Sequence, residues 1–253
     1  MDLKLKNLNY LVTGASSGLG RAVAKTLLKN EAQVIITARN KEKLEKLKEK
    51  FPDQTTIMAG DITDSTFLAR LKNTLPDKLY GVFINAGGPK AATIPETTME
   101  DWDAAYQLVL RWKVELSKSI LPIFQKNKQG RFLFSESASV NGPIQNLVLS
   151  NSYRMAVVGY MKTMVKEISN LDITANVIAP GYHETSAIDR LFHKLAEQET
   201  VSIEEARRRL ESRVPVGKLG NPEDFASLAA WLLSPLAGFA SGQVFTLDGG
   251  EGR

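Results

Sequence analysis

Between residues 13 and 20 the chain reads Thr-Gly-Ala-Ser-Ser-Gly-Leu-Gly. This stretch follows the apolar run Tyr10-Leu11-Val12 and opens a segment with helical apolar spacing: Leu19, Ala22, Val23, Thr26, Leu27. A strand that ends in glycines and turns straight into a helix leaves several backbone N–H groups unpaired and aimed at one spot. The positive end of the helix dipole adds to them, so the chemistry on offer is phosphate binding. Gly14 can make the tight turn, Gly18 lets the backbone approach the anion, and Gly20 lets the helix lie near the strand. Ser16, Ser17 and Leu19 complete the loop. Taken alone, a glycine-rich turn is equally compatible with no ligand.

The loop needs a frame, and the rest of the chain supplies one. Short apolar stretches at 9–13, 33–37, 55–60, 79–84, 131–135, 173–179 and 243–247 read as strands. Helical patterns lie between most of them, near 18–30, 41–50, 64–74, 99–126, 150–170 and 222–234. Apolar strands separated by amphipathic helices indicate an α/β fold, a doubly wound parallel sheet with helices on both faces. The helix near 99 carries its own start signal, Thr98 with Asp101 three residues on.

One region departs from the alternation. Residues 186–214 hold two helical patterns and no strand. Ile188, Leu191, Phe192 and Leu195 form one apolar face, and Ile203, Ala206 and Leu210 another; the second helix starts on a Ser202/Glu205 capping box and stops before Pro215. Ligands bind beyond the carboxyl ends of strands in open α/β sheets, so this excursion is expected to be a lid over a substrate, with subunit packing as the alternative.

Composition narrows the class. The chain has 253 residues, 43% of them hydrophobic, which suits a single domain over 1–253. Its 32 basic and 28 acidic residues give a charge of +4, too mild to call for nucleic acid. The mixed run Lys41–Lys50 reads as a solvated helix face. With no cysteine and only His183 and His193, thiolate chemistry is excluded and no metal site is expected. No signal peptide and no membrane-spanning run is legible, so a soluble cytoplasmic protein is expected.

Five further stretches accompany the glycine loop: Gly60-Asp61-Ile62-Thr63, Asn85-Ala86-Gly87, Ser137 after the fifth strand, Pro180-Gly181 with Thr185, and Asp248-Gly249-Gly250. In this order and spacing the chain resembles the short-chain dehydrogenase/reductase family along essentially its whole length. The resemblance implies one Rossmann-type domain of about seven parallel strands, a nicotinamide dinucleotide across the strand ends, a small-molecule substrate, and often a homotetramer or dimer. In that setting Asp61 and Ile62 meet the adenine, Asn85 ties strand ends together, and Ala86 and Gly87 leave room for the ribose. Pro180 and Gly181 turn the chain off the sixth strand, and Thr185 reaches the nicotinamide amide or a phosphate. NAD-dependent members place a carboxylate at the end of the second strand, on the ribose 2′-hydroxyl. Here Thr37-Ala38-Arg39 offers no acid, and Arg39 suits a 2′-phosphate, so NADP(H) is expected over NAD(H).

The family's catalytic set is Asn, Ser, Tyr and Lys, with Tyr thirteen residues after Ser and Lys four after Tyr. Counting from Ser137 gives Ser150 and then Arg154, and the Asn position falls on Val109. Taking Tyr153 as the tyrosine would pair it with Val157 and turn it away from the face that Ser150 and Arg154 share. Reduction of a ketone makes an alkoxide that needs a proton, and a phenol beside a lysine is a far better donor than an aliphatic hydroxyl. Arg154 can hold charge, bind the nicotinamide ribose hydroxyls of the cofactor and polarise a substrate oxygen, but not relay a proton. The expectation is an oxidoreductase of the 3-oxoacyl-reductase type with an atypical donor: water held by Ser137 and Ser150, or Tyr182, His183 or Glu184, with His183 best placed by its ordinary pKa. The alternative is a non-catalytic NADP(H) sensor or assembly protein on the same fold.

Overall fold

A computed structural model describes residues 1–168 and 171–252. Among these, seven strands form one parallel sheet: β1 (Asn9–Thr13), β2 (Gln33–Ala38), β3 (Thr55–Ala59), β4 (Leu79–Ile84), β5 (Gln129–Ser135), β6 (Asp172–Pro180) and β7 (Val244–Leu247), in the order β3-β2-β1-β4-β5-β6-β7. The order reverses between β1 and β4, which opens a crevice at their carboxyl ends.

Every residue of β4 (Leu-Tyr-Gly-Val-Phe-Ile) is buried, as a strand covered on both faces must be. The period-2 alternation sorts side chains to two cores. Tyr10, Val12, Val34 and Ile36 join one with helices α1 (Gly18–Lys29), α2 (Lys41–Lys48) and α9 (Pro222–Leu232). Leu11, Ile35 and Val82 join the other with α3 (Ser65–Asn73), α5 (Trp112–Asn127) and α6 (Val148–Glu167). Helix starts follow the local chemistry: Asp64 caps α3 through the Thr66 amide at 2.8 Å, and Asn221 caps α9 ahead of Pro222.

The predicted helix at 99–126 is two helices. The expected Thr98/Asp101 capping box starts α4 (Met99–Tyr106), a π-helical turn follows at Gln107–Arg111, and α5 continues beyond it. Such turns insert one residue and occur at functional sites. The helix expected over 150–170 starts two residues earlier and runs to Glu167; positions 169 and 170 lie outside the described residues. The 186–214 region folds as α7 (Ser186–Glu199) and α8 (Ile203–Glu211), with Ser202 accepting from the Glu205 amide at 3.1 Å. Ile188, Phe192, Leu210 and Leu219 make a small core of their own, so the pair packs as a unit apart from the two sheet cores. No described helix is long and apolar enough to cross a membrane.

Candidate active site

The glycine loop takes the conformation its residues allow. Gly14 and Gly18 have φ of +64° and +52°, in the left-handed region. Ser17, the N-cap of α1, makes no side-chain cap bond, and the first turn holds no acid, so the amides there face the crevice with their partial positive charge. A Cβ on Gly20 would lie 2.2 Å from the Gly14 carbonyl oxygen. Gly20→Ala is therefore expected to force the loop open, costing about 1–3 kcal/mol of stability and most NADPH affinity. Thermal unfolding and a fluorescence titration of NADPH check both.

The crevice is a cleft of about 670 Å³ lined by Gly14, Ser16, Ser17, Gly18 and Leu19, by Arg39, Asp61 and Ile62, by Asn85, Ala86 and Gly87, and by Thr185. Gly20 stands behind the loop, while Pro180 and Gly181 wall a neighbouring cavity. Asn40, Lys43, Gly88 and Arg190 also line the cleft and were not singled out from the sequence. Asn40 caps α2 by accepting from the Lys43 amide at 2.9 Å, so Arg39, Lys43 and a helix N-terminus converge at one end. Asn85 links β1 to β4: its amide donates to Thr13 Oγ1 at 2.7 Å, and that hydroxyl donates to the Asn85 carbonyl at 2.8 Å. Asp61 Oδ1 accepts from the Thr63 amide and hydroxyl at 2.9 and 2.7 Å, which holds its carboxyl below the usual carboxylate range.

A second cavity, about 650 Å³, flanks the 181–185 loop on which Thr185 lines the first cleft, and is lined by Ser137, Ala138, Ile144, Leu147, Tyr182 and Leu191, with Lys194 and Arg213 among its polar residues. Ser137 stands just past β5, where its Oγ accepts from the Ser139 amide at 3.2 Å. Ser150 and Arg154 lie one turn apart on α6, both buried, with Arg154 Nε donating to Ser150 Oγ at 2.9 Å. An Arg154 terminal nitrogen would be 3.3 Å from a Cβ on Gly88, which places the guanidinium beside the first cleft. Tyr153 points elsewhere, packing on Trp102 and Tyr106 of α4 with ring centroids 5.8 and 6.1 Å away. Burial, with Asp103 and Tyr106 beside it, raises its pKa, the wrong direction for an acid.

Two residues that the sequence did not single out complete this centre. Glu136, between β5 and Ser137, has a fully buried side chain whose oxygens take both Arg154 Nη1, at 3.1 Å, and Lys113 Nζ of α5, at 2.5 Å. Burial pushes the Lys113 ammonium below its ordinary value; Glu136 opposes that shift and Arg154 adds to it. The available signal was an acid at the end of an otherwise apolar buried strand, which demands a buried cation.

His183 is not with these residues. Its ring is buried against Phe225 and a Cβ on Gly220 would lie 2.7 Å from it; Nδ1 is 3.1 Å from the Gly181 carbonyl oxygen, and the ring lines a separate cavity of about 150 Å³. The structure therefore does not bring His183, read from the sequence as a proton donor, together with Ser137, Ser150 and Arg154; its backbone bridges to Gly220 instead. Glu184 faces Arg207 of α8 at 2.5 Å. Burial lowers the His183 pKa from 6.5, with the Gly181 carbonyl and Asp224 opposing. Because the folded value lies below the unfolded one, the contribution to stability is complete above about pH 6.5 and fades as pH falls from there through the folded value. His183→Phe is expected to flatten the pH 5–7.5 dependence of the urea midpoint.

Among the described residues, no three His, Asp or Glu side chains are placed to hold a metal ion. A family model described as enoyl-(acyl carrier protein) reductase matches residues 14–251. The chain is 31% identical over 245 residues to 3-oxoacyl-[acyl-carrier-protein] reductase FabG of Vibrio cholerae, covering 95% of each. The fold superimposes with TM-score 0.93 on L-sorbose reductase from Gluconobacter frateurii, solved with NADPH and L-sorbose, at 23% identity over 99% of this chain and 98% of that one. It superimposes with TM-score 0.91 on an actinorhodin polyketide ketoreductase solved with NADPH, at 25% identity over 98% of each. Seven parallel strands in this order, a glycine loop at the switch point and a match over nearly all its length lead to one conclusion: the chain belongs to the short-chain dehydrogenase/reductase family, oxidoreductases that act on CH–OH and carbonyl groups with a nicotinamide cofactor.

Proposed function

We propose that this protein is an NADP(H)-dependent oxidoreductase that interconverts a carbonyl and an alcohol on a small substrate, with a 3-oxoacyl thioester as the first candidate. The observation that carries the reading is the pair of cavities flanking one loop. One holds Arg39 and Lys43 at the far end of a phosphate-binding turn, and the other holds Ser137. The glycine loop grips the pyrophosphate, Arg39 and Lys43 receive the 2′-phosphate, and Thr185 with the start of α7 closes over the cleft as a lid. NADPH, when bound, supplies the hydride.

Ser137 donates a hydrogen bond to the substrate oxygen, and Arg154 faces the charge that develops there. Ser150 Oγ accepts from Arg154 Nε, which leaves its own O–H to donate toward that oxygen. Both neighbours are aliphatic hydroxyls, so the proton that neutralises the alkoxide is relayed by water held between Ser137 and Ser150, which regains its own proton from bulk solvent. The test is NADPH oxidation with acetoacetyl-CoA and a panel of ketones and ketoses. Turnover lost in Ser137→Ala and Arg154→Met, with NADPH still bound, supports the reading.

Ser150 and Arg154, standing where the family has tyrosine and lysine, favour a second reading: an NADP(H) sensor without chemistry. It predicts NADPH binding with no turnover across the panel.

A further inference from the structure

Glu136, Lys113 and Arg154 form a buried cluster of two cations on one carboxylate, with side chains 0%, 2% and 9% exposed. Each carboxylate oxygen is taken by a different cation, so the ionised cluster carries one net positive charge. Structural neutralisation of Glu136 needs only one of them. A second buried cation works against folding, since burying charge without a matching counter-charge is unfavourable. Such an excess has a use where negative charge appears during a reaction, in a site screened from water.

The cluster stands at such a place. Arg154 reaches the cleft wall at Gly88 and the Ser150 hydroxyl, and Glu136 directly precedes Ser137 in the chain. Lys113 is, like Arg154, not among the residues that line either cavity, and the partner of its ammonium is Glu136. It occupies Glu136 Oε1 and leaves Arg154 only the other oxygen, at the longer distance of 3.1 Å. On the reductase reading given above, we propose that Lys113 is a positioning residue: by sharing Glu136 with Arg154 it keeps the guanidinium incompletely neutralised, and so able to stabilise the oxyanion formed on hydride transfer.

The ionisable groups facing Lys113 are Glu136, from the end of β5, and Arg154, from α6; on its own helix Lys113 Nζ lies 6.0 Å from the Trp112 ring centroid. Loss of the Lys113 proton would leave Glu136 wholly to Arg154. Activity then falls on the alkaline side, at a pH below the ordinary lysine value, because burial favours the neutral amine.

The experiment compares wild type, Lys113→Met and Lys113→Arg, using NADPH with whichever ketone of the panel the wild type reduces. Lys113→Met is expected to keep NADPH affinity and a thermal midpoint at or above wild type, while kcat falls about ten- to a hundredfold and the alkaline limb disappears. Lys113→Arg keeps the charge in a group that does not titrate. It is expected to retain most of kcat and to stay active at alkaline pH, which decides the matter even where the methionine variant fails to fold. A methionine variant with wild-type kcat and pH profile overturns the proposal while the reductase reading stands, and so does an arginine variant that keeps the alkaline limb. A wild type that binds NADPH but reduces nothing in the panel overturns both.

Discussion

Glu136→Gln is expected to remove about 3–5 kcal/mol of folding stability, because it leaves two buried cations without the carboxylate that both contact. Domains of this kind are stable by only about 5–15 kcal/mol, so the variant stands near the edge of folding at ordinary temperature. The amide can still accept one hydrogen bond, but it carries no charge to offset either buried cation. Urea unfolding at pH 7.5 measures the loss. A paired substitution, Glu136→Gln with Lys113→Met, is expected to recover part of it by removing the cation with no remaining partner. A single variant that unfolds at the wild-type midpoint would contradict this reading of the cluster.

Arg39→Ala is expected to weaken NADPH binding by about 1.5–3 kcal/mol, the worth of a hydrogen bond to a charged group, or roughly ten- to a hundredfold, and to leave NADH binding nearly unchanged. The selectivity follows from location. Arg39 follows β2 at the rim of the cleft, beside Asn40 and Lys43 at the start of α2, where a 2′-phosphate has three sources of positive potential and a 2′-hydroxyl has little to gain. Lys43 and the helix terminus remain in the variant, so binding is reduced and not abolished. An equal loss for both cofactors would place Arg39 on some other part of the dinucleotide.

The architecture was readable because a covered parallel sheet writes itself as continuous apolar runs. All seven strands lie within a few residues of the stretches read from the sequence. The cleft at the β1/β4 switch point was readable for a related reason: Gly14 and Gly18 sit at backbone angles that favour glycine, and such positions announce themselves. The π-helical turn at 107–111 was not, since an inserted residue leaves the apolar pattern on either side intact. Lys113 and Glu136 are 23 residues apart on different elements, and nothing local to Lys113 marks it as the buried partner that Glu136 calls for. His183 had the right chemistry for a proton donor in a loop of the right place. Its burial depends on Phe225 of α9 and on Gly220, both distant from it in the chain.

The cleft at the β1/β4 switch point is expected to hold a 2′-phosphorylated nicotinamide dinucleotide, and every catalytic role proposed for Ser137, Ser150 and Arg154 depends on it. Isothermal titration of the purified chain with NADPH and, separately, NADH tests this directly. The prediction is one-to-one NADPH binding that saturates below about 1 mM, with NADH at least about tenfold weaker. No binding heat from either cofactor up to millimolar concentration, or tighter binding of NADH, would contradict it.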